Sequence, residues 1–161
     1  MIRTIEIRGE WFRCVSLRRD PLSSEGARLS GGRLNQPDEA ALYMASSPTS
    51  AVAESLRLGS MFGVDRFPPR LLVTVEVELI RTVDLTSEET GRACGVSEND
   101  LLRSWRGDGG PSPSQLLGHR LAEDGIHAAL CPSVIESGAT NLVIFVRNVD
   151  LSRCLHVVGD D

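Results

Sequence analysis

A long alternation of apolar and polar residues near the middle of the chain constrains the fold most strongly. The stretch RLLVTVEVELIRTVDL at residues 70–85 has the two-residue period of a β-strand, whose side chains point alternately to opposite faces of a sheet. It therefore predicts one long strand. A similar alternation over residues 3–17 predicts a strand or strand pair at the start of the chain. Shorter apolar runs predict further strands, the second and third of them central: AALYMA (40–45), IHAALCPS (126–133), NLVIFVRNV (141–149) and RCLHVVG (153–159).

Two helices are delimited by the residues at their ends. In SPTSAVAESLRLG, Ser47 is suited to capping the helix, Pro48 to its first position and Gly59 to its end. The stretch SPSQLLGHRLAEDG at residues 112–125 again has proline at its start and glycine at its end. Residues 87–106 have a weaker helical pattern. The sequence therefore predicts two well-delimited helices and one weakly helical region.

The order of these elements indicates the fold class. Residues 20–40 are rich in Gly, Ser, Pro, Asp and Asn and predict a long loop. A loop of that length inside a compact domain is usually functional or disordered. Strands and helices follow one another in mixed order, with neither an internal repeat nor an interdomain linker. We therefore expect a single domain over residues 1–161 of the mixed α+β class, strand-rich and with a few helices.

The charge composition limits the classes of partner. The net charge is −5, and all 17 positive side chains are arginines, because the chain contains no lysine. An acidic chain of this kind is not expected to bind DNA or RNA directly, although a local basic pocket for a phosphate ligand is compatible with it. The absence of lysine also excludes a Schiff-base lysine and the lysine of a Walker motif.

The cysteines and the apolar runs bear on the compartment. Cys14, Cys94, Cys131 and Cys154 lie far apart and form no Cys-x-x-Cys pair, so we expect buried free thiols in a reducing cytoplasm and no zinc site. The charged start MIRTIEIRGE differs from a signal peptide, and no apolar run reaches membrane-spanning length. We therefore expect a cytoplasmic protein without a membrane partner.

One candidate ligand residue lies in the predicted loop. Arg33 follows the pair Gly31 and Gly32. Glycine lets a backbone approach a ligand and turn its N–H groups toward an anion, and arginine binds phosphate in a bidentate manner. The alternative is a simple turn with a solvated arginine, which the loop taken alone favours.

Two further candidates lie on the elements that follow. Tyr43 is the only tyrosine; a ring at a strand end can stack on nicotinamide or adenine, although its position fits the core better. In the next helix Val52 and Leu56 share one face, and Glu54 borders a second, weakly apolar stripe. A partly buried carboxylate needs a partner, for which Arg33 is a candidate. A surface position for Glu54 fits the pattern equally well.

The end of a predicted central strand supplies the remaining candidates. Ser133 follows Pro132 where that strand ends, and Ser137 and Asn141 are nearby alternatives. Such a strand exit is a common place for a ligand contact, and the alternative is a turn whose hydroxyl satisfies the backbone. The three histidines have no metal-ligand spacing, and no Gly-x-Ser-x-Gly motif supports a Ser-His-Asp hydrolase.

Together these pieces resemble the RES-domain family, the toxins of bacterial type II toxin–antitoxin systems, named after an Arg, a Glu and a Ser. The matching stretches are FRCV, GARLSGGRLN before ALYMAS, SAVAES and the late PSVIESGATNLVIF. The family has Gly-Gly-Arg-Trp-Asn, then Leu-Tyr, then Ala-x-x-Glu, and Pro-Ser before an Asn-Leu strand. The match spans nearly the whole chain in the same order and spacing.

The resemblance implies an ADP-ribosyltransferase-like fold with NAD as substrate and no metal. The residues that it makes catalytic are Glu54 as the key carboxylate, Arg33 and Ser133. The residues that it places around NAD are Arg13, Arg33, Tyr43 near the nicotinamide, Ser133 and Asn141.

The implied function is that of a toxin that cleaves the nicotinamide–ribose bond by hydrolysis or phosphorolysis and arrests growth. A cognate antitoxin with a helix-turn-helix DNA-binding domain would neutralise it. Protein ADP-ribosylation is the alternative activity, and an inactive antitoxin-binding module is the alternative of another class. Two positions depart from the family pattern: Leu34 replaces a tryptophan and so removes an aromatic platform, and Leu58 replaces a frequent histidine.

Overall fold

The computed structural model of the chain describes residues 2–61, 69–107 and 109–159. Within these residues it contains six β-strands, six α-helices and one 3-10 turn. In chain order they are β1 Ile5–Ser16, α1 Glu25–Ser30, β2 Ala41–Ala45, α2 Pro48–Met61, β3 Arg70–Asp84, α3 Glu88–Ala93, α4 Glu98–Leu102, α5 Pro113–Glu123, β4 Ala128–Pro132, β5 Thr140–Phe145, the 3-10 turn Val146–Asn148, α6 Leu151–Cys154 and β6 Leu155–Val157. The predicted mixed α+β class is confirmed. None of the described helices is long and apolar enough to cross a membrane.

The strands form one sheet that closes on itself. Its order is β1-β2-β5-β4-β3-β6, and β1 also pairs with β3, so that the first five strands of this order form a ring. The β3–β4 pair is parallel, and the other pairs are antiparallel. Between β1 and β2 the ring is held by the pairing of Phe12 with Ala45. Both of these residues line the cleft described below.

The long strand predicted from the alternating pattern is β3, which pairs with β1 along the whole length of β1. Its alternate side chains Val73, Val75, Val77 and Leu79 are buried, as the two-residue period requires. The predicted central strands are β4 and β5, each with a neighbour on both sides. The alternation and the apolar runs were therefore sufficient to predict these strands.

The core lies on both faces of the sheet as two apolar clusters. One cluster, which includes Leu101, Leu117 and Leu121, covers the face against which α4 and α5 pack. The other cluster is built mainly from the strands themselves. Along β5, Val143 belongs to the first cluster and Ile144 to the second. A strand that is buried on both faces needs apolar residues at successive positions, which explains the continuous run NLVIF.

The predicted N-terminal caps of the two helices are present, whereas the predicted end of α2 at Gly59 is wrong, because the helix continues to Met61. The Ser47 hydroxyl accepts a hydrogen bond from the backbone N–H of Ser50 (3.1 Å) at the start of α2. Ser112 and Gln115 form a reciprocal capping box at the start of α5, which satisfies two backbone donors that the helix itself leaves free.

Three short elements differ from the prediction. The segment predicted as a loop contains α1, and the stretch RCLHVVG begins as α6 before its middle becomes β6. The run NLVIFVRNV leaves the sheet after Phe145 in the 3-10 turn. Neither α1 nor α6 buries a complete side chain, so neither has the apolar stripe by which a helix is read from sequence.

Candidate active site

A cleft of about 500 Å³ lies between β1, β2, α2 and the segment that follows α1. Five of the residues proposed from the sequence line it: Arg13, Arg33, Tyr43, Glu54 and Asn141. The sixth, Ser133, does not line the cleft but contacts Glu54 from behind. The fold thus gathers residues from five separate stretches of the chain around one cavity.

Glu54 is held by two donors from neighbouring strand ends. Its Oε1 atom accepts hydrogen bonds from Asn141 Nδ2 (3.0 Å) and from the Ser133 hydroxyl (3.3 Å). Asn141 lies opposite Cys131 on β4, and Ser133 comes directly after that strand. Among the described residues, Oε2 accepts no hydrogen bond. One carboxylate oxygen is therefore fixed by the protein, and the other remains for a ligand.

Ser133 also organises the turn behind Glu54. Its hydroxyl oxygen accepts hydrogen bonds from the backbone N–H groups of Ile135 (3.1 Å) and Glu136 (3.3 Å) while the hydroxyl donates to Glu54. The Glu136 carboxylate in turn accepts from the Ser50 hydroxyl on α2 (2.6 Å). Ser133 is thus a turn residue that also positions Glu54, because one hydroxyl can both accept and donate. Its direct contact with a ligand stays a prediction.

The helix that carries Glu54 approaches the sheet through small residues. Ala51, Ser55 and Gly59 are buried and recur at the four-residue spacing of one helical face. Val52 and Leu56, which the pattern places on one face, are 39% and 50% exposed. The apolar face inferred from sequence is therefore not the packed one, and Glu54 stands beside the buried stripe at the edge of the cleft.

Arg33 is buried, 9% exposed, and is bound by neutral partners. Its Nη1 atom donates hydrogen bonds to the backbone carbonyls of Leu101 (2.5 Å) and Arg103 (2.6 Å) at the end of α4. It forms no ion pair with Glu54, so the direct pairing that the sequence indicated is wrong. Burial lowers the pKa of the Arg33 guanidinium, and the nearby positive charge of Arg57 lowers that pKa further.

Tyr43 fixes the loop that carries Arg33. Its hydroxyl donates to Asn35 Oδ1 (2.6 Å) and accepts from the backbone N–H of Leu34 (3.0 Å). Asn35 Nδ2 in turn shares its two N–H groups among the carbonyls of Ala27 in α1 and of Gln36 and Glu39 in the loop. Burial raises the pKa of Tyr43 far above its ordinary value, so the hydroxyl stays neutral. The ring packs against the core, as its position in the sequence indicated, and also lines the cleft. Stacking of the ring on nicotinamide or adenine stays a prediction.

The two glycines before Arg33 are required by close packing. Gly31 has φ of 75°, which favours glycine. A Cβ atom on Gly32 would lie 2.5 Å from the Tyr43 hydroxyl oxygen. Gln115 on α5 supports the loop from the other side by donating from Nε2 to the carbonyl of Gly32 (3.0 Å). The loop is therefore held in one conformation by packing and hydrogen bonds, and it is more than a simple turn.

Position 34 does not face the cleft. Leu34 is completely buried in the first core cluster, and a Cβ atom on Gly118 of α5 would overlap its carbonyl oxygen. The inference that leucine here removes an aromatic platform from the site is therefore wrong. A tryptophan does line the cleft, but it is Trp105 in the segment after α4. Leu58, the other position that departs from the family pattern, also lines the cleft and is 40% exposed.

Arg13 presents an unsatisfied donor. Its Nη2 atom donates to the carbonyl of Ser23 (3.2 Å), whereas Nη1 is buried without a hydrogen-bond partner in the part of the chain that the structure describes. Burial lowers the pKa of Arg13 to about 10, against the opposing effect of the negative charge of Asp20. A buried guanidinium nitrogen without an acceptor is costly, and an anion in the cleft would supply one.

The charge of the cleft is opposite to that of the chain. Among the described residues that line it, five arginines face two carboxylates, a surplus of three positive charges. The arginines are Arg13, Arg19, Arg33, Arg57 and Arg70, and the carboxylates belong to Asp20 and Glu54. The sequence left room for a local basic pocket but did not indicate Arg19, Arg57, Arg70 or Trp105, since their place on the cleft follows from tertiary structure alone.

The cysteines are free thiols, and Cys131 also lines the cleft. Burial raises the pKa of Cys131 to about 12, so its thiol is protonated near neutral pH and is a poor nucleophile. Among the residues that the structure describes, no group of three or more His, Cys, Asp and Glu side chains is arranged to hold a metal ion.

Comparison with known proteins identifies the family. The profile of the RES domain matches residues 10–160. The chain belongs to the RES domain family. That Glu54, Arg33 and Ser133 are the Glu, Arg and Ser of the family name stays a prediction.

The chain is similar to two mycobacterial proteins and to one solved structure. The chain is 28% identical over 156 residues to the NAD(+) phosphorylase MbcT of Mycobacterium tuberculosis, which covers 89% of this chain and 79% of that protein. The same values hold for NAD(+) phosphorylase MbcT of Mycobacterium bovis. The crystal structure of the M. tuberculosis MbcT–MbcA toxin–antitoxin complex matches with a TM-score of 0.78 and 26% identity, over 96% of this chain and 83% of that chain.

Proposed function

We propose that this RES-domain protein, acting as a single domain over residues 1–161, binds NAD in the cleft and cleaves its nicotinamide–ribose bond. The observation that carries the proposal is the carboxylate of Glu54, fixed through Oε1 by Asn141 and Ser133 at the wall of a positively charged cleft. A volume of about 500 Å³ lies in the range of small-molecule sites. The relatives named NAD(+) phosphorylase support the choice of substrate.

The positive groups of the cleft fit the diphosphate of NAD. Arg13 has a free buried donor at Nη1, and the two hydrogen bonds of Arg33 use only its Nη1 atom. A guanidinium carries five N–H groups, so Arg33 can hold the end of α4 and a phosphate oxygen together. Tyr43 and Trp105 supply aromatic surface for the planar rings of the dinucleotide.

Glu54 supplies the charge that the reaction requires. When the bond between ribose C1′ and nicotinamide breaks, its electron pair stays on the ring nitrogen and nicotinamide leaves as a neutral molecule. Positive charge develops on the ribose, as in glycoside hydrolysis, and a carboxylate held beside C1′ stabilises it. The hydrogen bonds from Asn141 and Ser133 keep the carboxylate in position before that charge appears.

The acceptor decides which product forms. Water yields ADP-ribose and phosphate yields its 1-phosphate, and the named relatives favour phosphate. Transfer to a protein side chain is the alternative. The retained cleft residues Arg33, Tyr43 and Glu54 argue against an inactive binding module.

We further propose that the protein is a toxin that is silenced by a cognate antitoxin with a helix-turn-helix DNA-binding domain. The complex formed by MbcT supports a protein partner, and the net charge of −5 leaves DNA contact to that partner. An antitoxin carboxylate in the arginine-lined cleft would mimic a phosphate, so antitoxin and NAD should compete. If the antitoxin bound NAD-saturated protein as tightly as free protein, inhibition by occlusion would be wrong.

The proposed activity is tested by chromatography of NAD incubated with purified protein, with and without phosphate and chelator. We expect release of nicotinamide that Glu54→Gln abolishes. Glu10→Gln, which removes a carboxylate from the exposed surface of β1, should leave the rate unchanged. Absence of nicotinamide under all acceptor conditions, including added cell lysate, would refute the proposal. Expression that arrests growth while the cellular NAD level stays constant would instead favour an activity on another target.

A further inference from the structure

We propose that Arg57 binds an oxyanion acceptor beside Glu54 and thereby favours inorganic phosphate over water as the acceptor. This inference rests on the proposed function and deepens it by assigning a residue to the acceptor. Arg57 matches no motif of the sequence analysis.

The position of Arg57 on α2 is the first support. It follows Glu54 by three residues, a spacing that puts two side chains on the same side of a helix with Cβ atoms roughly 5–6 Å apart. Arg57 and Glu54 both line the cleft, and the intervening Leu56 is exposed on another face. Arg57 therefore lies about one helical turn from Glu54, the carboxylate beside which the proposed reaction places C1′.

The second support is that neither Arg57 nor Arg33 has a carboxylate partner. Within the described parts of the chain, Arg57 forms no ion pair, and both hydrogen bonds of Arg33 go to neutral backbone carbonyls. Burial is the largest effect on the pKa of Arg33 and lowers it; the Arg57 charge lowers that pKa further, and the Glu54 charge raises it. Two positive groups near one carboxylate leave a surplus positive charge, which a bound oxyanion would balance.

The diphosphate of NAD does not account for Arg57. A reacting acceptor atom must lie about 3–3.5 Å from C1′, whereas the diphosphate is separated from C1′ by the whole ribose ring. Arg13, Arg19 and Arg70 line the cleft in addition to Arg33 and Arg57. The cleft therefore has enough arginines to bind the diphosphate and a second anion at once.

The chemistry explains why phosphate would need this arginine and water would not. Phosphate carries negative charge, and Glu54 at the same carbon would repel it, while Arg57 offsets that repulsion. A phosphate oxygen donates its electron pair to C1′, the C1′–nitrogen bond breaks with its pair retained by nicotinamide, and the remaining acidic proton of phosphate is released to solvent. Water is neutral, so its approach depends far less on a nearby cation.

The test compares wild type with Arg57→Gln, and with Arg153→Gln as a control that removes the same charge from the exposed surface of α6. Initial rates are measured against phosphate concentration at saturating NAD, products are separated by chromatography, and NAD binding is titrated. In Arg57→Gln we expect the KM for phosphate to rise roughly 10- to 100-fold, the loss of one charge-assisted hydrogen bond. The ratio of ADP-ribose 1-phosphate to ADP-ribose should fall, and NAD affinity should change far less. Arg57→Lys, which keeps the charge, should recover part of the phosphate dependence.

Each other outcome overturns the inference in a distinct way. An unchanged KM for phosphate with weakened NAD binding would assign Arg57 to the dinucleotide. Wild-type protein that degrades NAD at a rate independent of phosphate would refute the acceptor site and leave the proposed function intact, whereas wild type without any NAD degradation would refute both. Arsenate provides an independent probe, since it should accelerate NAD loss in wild type and much less in Arg57→Gln. A thermal unfolding curve for each variant shows that the comparison concerns folded protein.

Discussion

The replacement Tyr43→Phe separates the hydroxyl of Tyr43 from its ring. The hydroxyl donates to Asn35 Oδ1 (2.6 Å) and accepts from the N–H of Leu34 (3.0 Å). Phenylalanine keeps the ring, with its contacts to the core and the cleft, and removes both hydrogen bonds. The variant therefore tests whether this hydroxyl holds the loop that carries Arg33.

The cost follows from the two groups that lose their partner. Asn35 is 1% exposed and Leu34 is completely buried, so neither group can turn to bulk water. The Asn35 amide cannot rotate either, because its Nδ2 already shares its two N–H groups among three carbonyls. A buried group without a partner costs about 1–3 kcal/mol. After partial relaxation of the loop, we expect the free energy of unfolding to fall by about 2–4 kcal/mol, a decrease in Tm of roughly 4–16 °C for a chain of this size.

Urea unfolding followed by circular dichroism measures this loss, and titration with NAD measures the effect on the loop. The cost of Tyr43→Phe should shrink in an Asn35→Ala background, because the acceptor is already absent there. A urea midpoint equal to that of wild type would refute the structural role of the hydroxyl. Unchanged stability with lost NAD affinity would assign the hydroxyl to the ligand.

Three further predictions concern the cleft and its support. Glu54→Gln should preserve NAD binding and lose turnover, because only the developing positive charge depends on the carboxylate; weakened binding with normal turnover of bound NAD would contradict this. Gly118→Ala should lower the free energy of unfolding by about 3 kcal/mol or more, since its Cβ would overlap the carbonyl oxygen of Leu34; an unchanged urea midpoint would show that α5 can shift freely. Cys131 is 2% exposed, and burial raises its pKa to about 12, so it should resist iodoacetamide in the folded protein at pH 8. Alkylation of Cys131 at pH 8 as fast as that of the half-buried Cys14 would refute this protection by burial.

The parts of the fold that local pattern determines were predictable. The strand β3 and the helices α2 and α5 all form, although α2 continues past its predicted end at Gly59 to Met61 and packs through a different face. The short helices α1 and α6 have no buried side chain that the pattern could show. The ring closure of the sheet was not predictable either, because the pairing of Phe12 with Ala45 joins residues far apart in the chain.

The candidate site, like the fold, was predictable only in part. Glu54, Ser133 and Asn141 come from three stretches whose order in the chain matches the family, and the structure brings them into hydrogen-bond contact. The prediction of Arg33 as the partner of Glu54 was nevertheless wrong, because chain order does not show which side chains meet. Neither Arg57 nor Trp105 has a sequence signal. Arg57 is one of 17 positive residues, and Trp105 follows a weakly helical stretch, so only the fold shows that they line the cleft.

Arg33 connects the stability of the cleft with its proposed chemistry. Its Nη1 atom binds the carbonyls of Leu101 and Arg103, and the chain then continues to Trp105 in the wall of the cleft. One guanidinium can serve both purposes because its five N–H groups lie in a rigid plane, so that the nitrogens not used for the carbonyls face another direction. A lysine carries its three donors on one nitrogen, which would have to lie within hydrogen-bond distance of both carbonyls and of the phosphate at once. Geometry as well as charge therefore favours arginine at this position, and we expect its loss to free the Leu101 and Arg103 carbonyls and to weaken the binding of an anion.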